Sequence, residues 1–322
     1  MRILLTGGAG FIGSHLADRL VELGGSVTVL DDLSTGSLSH LSGCAKQIRF
    51  VRGSVLEPDR IEKLVAGTDR VVHLAAAVGV DRVARDPAGA RRVIAEGSSS
   101  VLEHARKRQV PLLMVSSSEV YGFSPPCPIR EEDVLSRIAG VAPRLAYAQA
   151  KLEADRMARE AAREGARVLT LRPFNVVGPR QGDEGGAVLP GFCKSALLGR
   201  PLEVHGSGQQ RRTFLDVRDL ARLLAGLVRM ESFPVDALNV GGTEEWSMRE
   251  LAERVVELVG SRSEIAHVRH PSSRGGVEVQ RRVPDLSRLG SLVELGPRRG
   301  IDSSIRALAA ELRDSLTLAG TV

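Results

Sequence analysis

Tyr147 and Lys151, four residues apart, are the pair of side chains in this sequence best suited to chemistry. At that spacing they share one helical face, so the ammonium can lie near the phenol and favour its ionised form. A base of lowered pKa beside a hydride acceptor is the minimum that alcohol oxidation requires. The alternative is a solvated Tyr and Lys, which a nucleotide-binding pattern elsewhere in the chain disfavours.

That pattern is a glycine turn, in which Gly7, Gly10 and Gly13 follow a predicted strand and open a helix. Such glycines allow a tight turn, close approach to a pyrophosphate and close helix packing, while the helix amides face the anion. Asp31 ends the next strand, at about the 20-residue distance where a carboxylate bonds a ribose 2′-hydroxyl. Asp31 and Asp32 would repel a 2′-phosphate, which favours NAD over NADP. For Asp32, a loop-capping or solvated role is the preferred interpretation.

Length and composition bound the class of protein. The 322 residues suffice for one large nucleotide-binding unit with a smaller lobe. A scattered net charge of +5 and 3% aromatic residues argue against nucleic-acid binding, whereas a small positive excess suits a nucleotide diphosphate. Three cysteines without C-x-x-C spacing argue against disulfides and zinc, so we expect no metal and a reducing cytoplasm. We expect neither a signal segment nor membrane association.

The elements that position these residues follow from alternating apolar runs and helical patterns, which indicate β-α-β units and a parallel sheet. Ile12, Leu16 and Leu20 give the first crossover helix a buried face. The predicted strands are Ile3–Thr6, Val27–Asp31, Ile48–Val51, Arg70–Leu74, Leu112–Ser116 and Val168–Arg172.

From Pro173 onward, glycines at 178, 182, 185 and 186 interrupt the pattern and indicate a smaller second lobe. Leu215–Met230 is predicted to be helical and Leu238–Val240 to be a strand, so the chain returns to the first domain. The predicted fold is an α/β Rossmann-type doubly wound sheet with a smaller α/β C-terminal lobe. Residues 1–172 and about 214–242 form the NAD-binding domain, and about 173–213 and 243–322 form the substrate lobe.

Five motifs resemble the extended short-chain dehydrogenase/reductases of the nucleotide-sugar epimerase, dehydratase and decarboxylase group. They are Thr6–Gly13, His73–Ala76, Ser116–Gly122, the Tyr147/Lys151 pair and Arg172–Arg180. The resemblance implies oxidation of a sugar C4 hydroxyl by NAD, with Tyr147 as base and Lys151 holding its charge and the nicotinamide ribose. Ser117 would bond the reacting oxygen. The implied cofactor site comprises Gly7, Gly10, Phe11, Ile12, Gly13, Asp31, Asp32, Ser34, Thr35, Gly36, Ser54, Val55, Leu74, Ala75, Ala76, Tyr147, Lys151 and Pro173.

Glu119 distinguishes the reactions within this group. Ser117-Ser118-Glu119 resembles the hydroxyl-Ser-Glu triplet of nucleotide-sugar glucuronate decarboxylases, with serine in place of the usual threonine. A C4 ketone makes a C5 carboxylate a β-keto acid that loses carbon dioxide, and Glu119 could steer the carboxylate or place the following proton. The predicted catalytic set is therefore Tyr147, Lys151, Ser117, Ser118 and Glu119.

Other functions stay open at this point. If Glu119 only bonds backbone at a strand-to-helix turn, the enzyme is a UDP-sugar 4-epimerase. Dehydration is disfavoured because Ser118 stands where dehydratases of the group have an aspartate. A non-catalytic NAD-binding regulator is the remote alternative, which the presence of both Tyr147 and Lys151 disfavours.

The resemblance also implies a site for a nucleoside-diphosphate sugar, with UDP favoured. Arg212 and Arg282 match arginines that chelate a diphosphate, Asn175 matches a phosphate or sugar ligand, and His205 could stack on uracil. The full predicted set is Asn175, Arg180, Val188, Leu189, Phe192, His205, Arg212 and Arg282. For Leu189 and Phe192 a plain core role is equally open.

Two departures from the group's pattern bear on the cofactor site. Ser54 replaces a usual aspartate near the adenine, and Ile94 replaces a common asparagine before Gly97. Members of the group usually dimerise through two helices per subunit. The predicted helix from Tyr147 to Arg163 is a candidate for that contact, so a homodimer is expected.

Overall fold

Parallel strands form the central sheet of the structure, a computed structural model that describes residues 1–79, 83, 85–123, 125–135, 138, 143–182, 187–269, 279–294, 296 and 298–318. The strands are β1 (Arg2–Thr6), β2 (Ser26–Asp31), β3 (Ile48–Arg52), β4 (Arg70–His73), β5 (Leu112–Val115), β6 (Val168–Pro173), β7 (Val176–Val177), β8 (Leu202–His205), β9 (Arg211–Thr213), β10 (Leu215–Asp216), β11 (Ala237–Val240), β12 (Glu245–Ser247), β13 (Ile265–Val268) and β14 (Arg281–Arg282). Within the described residues the large sheet has the order β11-β6-β5-β4-β1-β2-β3, with every neighbouring pair parallel.

Helices cover both faces of this sheet and build the second lobe. They are α1 (Phe11–Glu22), α2 (Pro58–Ala66), α3 (Pro87–Arg91), α4 (Gly97–Lys107), α5 (Pro143–Arg163), α6 (Val188–Leu197), α7 (Val217–Leu227), α8 (Met248–Val259), α9 (Ser287–Leu292) and α10 (Ile301–Leu318). A π-helical turn at Arg92–Glu96 joins α3 to α4, and short 3₁₀ turns occupy Leu38–Leu41, Ser118–Tyr121 and Glu131–Asp133. No helix in this described part of the chain is long and apolar enough to cross a membrane.

Strand sequence explains the two-sided packing of the sheet. Successive side chains alternate faces, so Leu4 packs with Ile61 on one side while Leu5 packs with Leu16 on the other. Every residue of β5 is buried. Near-continuous apolar strands of this kind are typical of a parallel sheet covered on both faces. The predicted Rossmann-type sheet is confirmed, and the six predicted strands agree with the structure to within one residue at each end.

The carboxyl ends of the strands assemble the site. In a parallel sheet these ends share one edge, where ligands of doubly wound folds bind. β1 leads into the glycine turn, β4 into Leu74–Ala76, β5 into Ser116–Gly122, and β6 into the segment carrying Asn175. Residues far apart in sequence therefore meet at this edge.

A separate hydrophobic cluster forms the core of the second lobe. It brings together buried residues of α6, α8 and α10, among them Leu189, Leu251 and Ile305. Leu289 of α9 packs instead with the cluster beneath the large sheet. That part of the predicted substrate lobe therefore lies on the first domain, and the remaining division stays a prediction. The glycines at 185 and 186, expected to interrupt this lobe, lie outside the described residues.

Candidate active site

The glycine turn after β1 packs its backbone closely against neighbouring backbone atoms. Gly7 has a positive φ of 71°, and a Cβ added there would come within 2.6 Å of the Ala75 nitrogen. A Cβ on Gly13 would collide with the Gly7 carbonyl, so helix α1 packs directly on the turn. At Gly10 the nearest atom to an added Cβ is the Gly7 oxygen, at 3.2 Å. Helix α1 begins directly after Gly10 with no side-chain cap, so its first amides suit a pyrophosphate.

Asp31 is held at the end of β2 beside this turn. Its carboxylate accepts hydrogen bonds from the backbone nitrogens of Ala9 at 2.9 Å and Leu33 at 2.8 Å. Burial raises the pKa of Asp31, and these two N–H donors oppose the rise. Asp32 is exposed and accepts from the Ser34 nitrogen at 2.9 Å, which matches the preferred interpretation of it as a loop cap.

The segment after Asp32 folds back onto the glycine turn. A Cβ on Gly36 would lie 2.9 Å from the backbone of Ala9, so the stretch holding Ser34, Thr35 and Gly36 borders the predicted cofactor site. Further along, the Ser54 hydroxyl accepts from the Leu56 nitrogen at 3.2 Å. The serine that replaces the usual aspartate therefore caps its own turn.

The remaining predicted cofactor residues line the same edge. Phe11 and Ile12 open α1 and are half-buried, as are Leu74, Ala75 and Ala76 after β4 and Pro173 at the end of β6. Val55 is buried against Gly97. Ile94, the other departure, is buried in the π-helical turn, in a cluster against which Tyr147 packs.

Ser117, Glu119 and Tyr147 meet as the sequence predicts. The Ser117 hydroxyl accepts from the Glu119 nitrogen at 3.2 Å and hydrogen-bonds Tyr147. Burial raises the pKa of Tyr147 to about 12, the negative charge of Glu119 adds to the rise, and the Ser117 hydrogen bond opposes it. Ser118, which lies between Ser117 and Glu119 in the sequence, is buried.

The ammonium of Lys151 is held against strand β5. It donates to the Val115 carbonyl oxygen at 3.0 Å, and burial lowers its pKa to about 8 against the opposing charge of Asp155. The prediction that Lys151 favours an ionised Tyr147 stays a prediction, since burial and Glu119 are the causes that raise the pKa of Tyr147 here.

An ion pair that the sequence did not indicate joins Glu119 to Arg282. Their side chains lie 2.7 Å apart, and Arg282 also donates to the Gly122 carbonyl oxygen at 2.6 Å. Arg282 is 2% exposed. The resemblance implies that Arg282 binds the diphosphate, whereas in the structure Arg282 bonds directly to the segment that carries Glu119.

Strand pairing places Arg282 beside a second predicted ligand. β14 lies beside β9, with Arg282 in register with Arg212, so the two predicted diphosphate ligands are neighbours. Asn175 has a positive φ of 33° and donates to the Thr213 carbonyl at 2.9 Å, which places it beside β9 as well. His205 ends β8 in the same lobe, half-buried.

Four predicted substrate residues make other contacts in the structure. Leu189 and Phe192 are buried in the second-lobe core, so the core interpretation replaces the pocket assignment, and Val188 packs against that cluster. Arg180 pairs with Asp18 of α1 at 2.8 Å, and its backbone nitrogen donates to Glu311 of α10. Its guanidinium thus belongs to a contact between the lobes.

The family model described as the NAD dependent epimerase/dehydratase family matches residues 3–241. The chain belongs to this family. A UDP-N-acetyl-alpha-D-glucosaminuronate decarboxylase of Bacillus cytotoxicus is 33% identical over 301 residues, covering 92% of this chain and 92% of that protein. UDP-glucuronic acid decarboxylase 1 of Xenopus tropicalis is 33% identical over 316 residues, covering 97% of this chain and 73% of that protein.

A solved relative shows the same fold. The UDP-glucose 4-epimerase of Thermus thermophilus, in complex with NAD, superimposes with a TM-score of 0.82 at 28% identity. The match covers 97% of this chain and 99% of that one. The relatives of this enzyme family thus include both decarboxylases and an epimerase.

Proposed function

We propose that this enzyme uses NAD to oxidise the C4 hydroxyl of UDP-glucuronate, removes the C5 carboxylate as carbon dioxide, and releases a UDP-pentose or its 4-keto form. Two relatives at 33% identity carry the name of a UDP-uronate decarboxylase, which supports this reaction class. The observation that carries the proposal is the Glu119–Arg282 pair beside Tyr147.

The cofactor site fits the residues present. The uncapped N-terminus of α1 after Gly10 would hold the pyrophosphate, and Asp31 would bond the adenosine ribose while its charge repels a 2′-phosphate. NAD, when bound, accepts and later returns the C4 hydride. Lys151 would hold the nicotinamide ribose and supply a positive charge near the base.

Tyr147 and Ser117 carry the proton chemistry at C4. Tyr147 takes the hydroxyl proton as the C4 hydrogen leaves as hydride, and Ser117, already bonded to Tyr147, orients the same oxygen. The product is a C4 ketone next to a C5 carboxylate. When the C5–carboxylate bond breaks, its electron pair enters the ketone as an enolate and carbon dioxide leaves. A proton then adds to C5 before hydride returns to C4.

The Glu119–Arg282 pair favours a substrate with a carboxylate. Arg282 is a guanidinium fixed by Glu119 and by the Gly122 carbonyl at the edge where Tyr147 acts. A guanidinium matches a carboxylate in geometry and charge, and Glu119 lies close enough to Tyr147 to perturb its pKa. A neutral hexose has no charged group at C5 for Arg282 to bind.

The test is product analysis of the purified protein with UDP-glucuronate and NAD. We expect a product lighter by one carbon dioxide, with no net reduction of NAD if the UDP-pentose is released. UDP-N-acetylglucosaminuronate serves as a second uronate and UDP-glucose as the carboxylate-free control. Turnover of UDP-glucose to its C4 epimer, with both uronates unchanged in mass, would contradict the proposal.

A 4-epimerase is the second candidate, supported by the likeness to the UDP-glucose 4-epimerase. Both reactions pass through the C4 ketone and need the same Tyr147, Lys151 and Ser117. They differ in whether the C5 substituent is lost, so the mass of the product separates them.

The binding of the rest of the substrate follows from the second lobe. Arg212 and Asn175 would hold the diphosphate beside β9, and His205 would stack on the uracil.

Residues 1–172 and about 214–242 would act as the NAD-binding domain. Helix α5 would form the homodimer contact, and the enzyme would work in the cytoplasm.

A further inference from the structure

A fully buried ion pair lies directly behind the catalytic helix. Arg172 of β6 donates from Nε and Nη2 to the two carboxylate oxygens of Asp155 on α5, at 2.8 and 2.7 Å. Both side chains have 0% exposure. Asp155 stands one helical turn beyond Lys151, so this pair anchors the helix that carries both Tyr147 and Lys151 to the central sheet.

The same guanidinium reaches the turn that carries Glu119. Arg172 Nη1 donates to the Tyr121 hydroxyl at 2.9 Å and to the Glu131 carbonyl at 2.7 Å. The Tyr121 hydroxyl in turn donates to the Asn239 side chain at 2.5 Å. Tyr121 is two residues beyond Glu119 in one 3₁₀ turn, so Arg172 fixes that turn and α5 against each other.

Charge in this pair also bears on Lys151. Asp155 opposes the lowering of the Lys151 pKa that burial causes. The Val115 carbonyl on β5 and His73 on β4 also lie near this ammonium. Glu119 lies beyond, against Tyr147. Asp155 is the group whose charge stabilises the protonated form of Lys151.

We propose that Asp155 and Arg172 are positioning residues that set the Glu119 turn against the Tyr147/Lys151 helix. This inference rests on the roles proposed above for Tyr147, Lys151 and Glu119. It assigns two separable effects. Tyr121 carries the geometry alone, while Asp155 carries both geometry and charge.

Three variants separate the effects. Tyr121→Phe deletes the hydroxyl that joins Arg172 to the Glu119 turn, and kcat should fall about tenfold, with the alkaline limb of its pH profile in place. Asp155→Asn should lower kcat and also move that alkaline limb about one pH unit lower. Asp236→Asn is the matched control, because Asp236 pairs with Arg159 of the same helix but not with the Tyr121 network. It should cost stability while leaving kcat and its pH profile unchanged.

A stability measurement keeps the inference independent of the proposed reaction. The pKa of Lys151 is about 8 in the folded protein against 10.5 when unfolded, so between these values the unfolded state binds more protons and stability rises with pH. The difference in unfolding free energy between the parent and Lys151→Met isolates this window. In the Asp155→Asn background the window should begin about one pH unit lower. If that variant does not fold, the Asp155→Asn/Arg172→Gln double variant, which removes both charges, takes its place.

If the Asp155 variants change neither the pH range over which stability rises nor the alkaline limb of kcat, the charge role is overturned. Full kcat in Tyr121→Phe would overturn the geometric role. If the parent enzyme turns over no nucleotide sugar, the proposed function fails, but the stability window still tests the link between Asp155 and Lys151.

Discussion

Arg180 and Asp18 lie 2.8 Å apart and join the segment after β7 to helix α1. Arg180 has a positive φ of 63°, and its backbone nitrogen also donates to Glu311 of the last helix. Three parts of the chain that are distant in sequence therefore meet at one arginine. We interpret the Arg180–Asp18 ion pair as a contact that holds the second lobe against the domain that contains the large sheet.

Asp18→Asn should weaken this contact between the lobes. The pair is about one quarter exposed, so losing the charged acceptor should reduce the free energy of unfolding by about 1 to 2 kcal/mol. Chemical denaturation of the two proteins measures the difference. Arg19→Ala, which breaks the exposed pair with Glu22 on the same helix, should cost under about 1 kcal/mol. Equal losses of unfolding free energy in both variants would show that the Arg180–Asp18 pair contributes no more than an exposed surface pair.

Glu119→Gln should change both rate and pH dependence. The charge of Glu119 raises the pKa of Tyr147, so removing it should lower that pKa and increase the fraction of ionised Tyr147 at a given pH. Decarboxylation should also slow by about 100-fold if Glu119 handles the carboxylate or the C5 proton. A pH series of carbon dioxide release measures both effects. Glu132→Gln, an exposed carboxylate paired with Arg288, is the control and should change neither.

His73 should make the protein sensitive to acid. Its ring bonds the Thr6 and Ser98 hydroxyls, and burial together with Lys151 lowers its pKa to about 3. Between pH 6.5 and 3 the unfolded state binds the proton and the folded state does not, so stability falls as pH falls. The loss is at most about 4 to 5 kcal/mol.

Denaturation curves at pH 7.5, 5.5 and 4.5 measure this slope. His73→Gln should flatten it, although the variant starts from lower stability because its amide replaces a bonded imidazole. The exposed His267, changed to glutamine, should leave the slope as it is. A parallel loss of slope in both variants would remove His73 as the cause.

Local patterns predicted the strand, turn and helix that surround the expected cofactor site. Gly7, Gly10 and Asp31 sit in short stretches whose spacing follows from one strand, one turn and one helix. The same holds for Ser117 and Glu119, which share a turn. Such geometry is encoded in adjacent residues, so periodicity and glycine positions suffice to find it.

Contacts set by tertiary packing were not predictable in the same way. Arg282 and Glu119 are far apart in the sequence, and no pattern around either residue signals that they form an ion pair. Leu189 and Phe192 read equally well as pocket or core, since an apolar helix face does not reveal what covers it. The burial that raises the pKa of Tyr147 is likewise invisible in a four-residue spacing.

Asp31→Asn should weaken the preference for NAD over NADP. The amide loses the charge that would repel a 2′-phosphate and keeps one oxygen to accept from the Ala9 nitrogen, so the turn should survive. We expect the Kd for NAD to rise about tenfold and the gap to NADP to narrow, because charged hydrogen bonds contribute about 1.5 to 3 kcal/mol. Calorimetric titration with each dinucleotide measures both constants. Asp32→Asn is the control: Asp32 is exposed and caps its own loop, so its loss should leave both constants nearly unchanged. If Asp32→Asn instead causes the larger change, the ribose contact belongs to Asp32, and the roles assigned to the two neighbouring carboxylates must be exchanged.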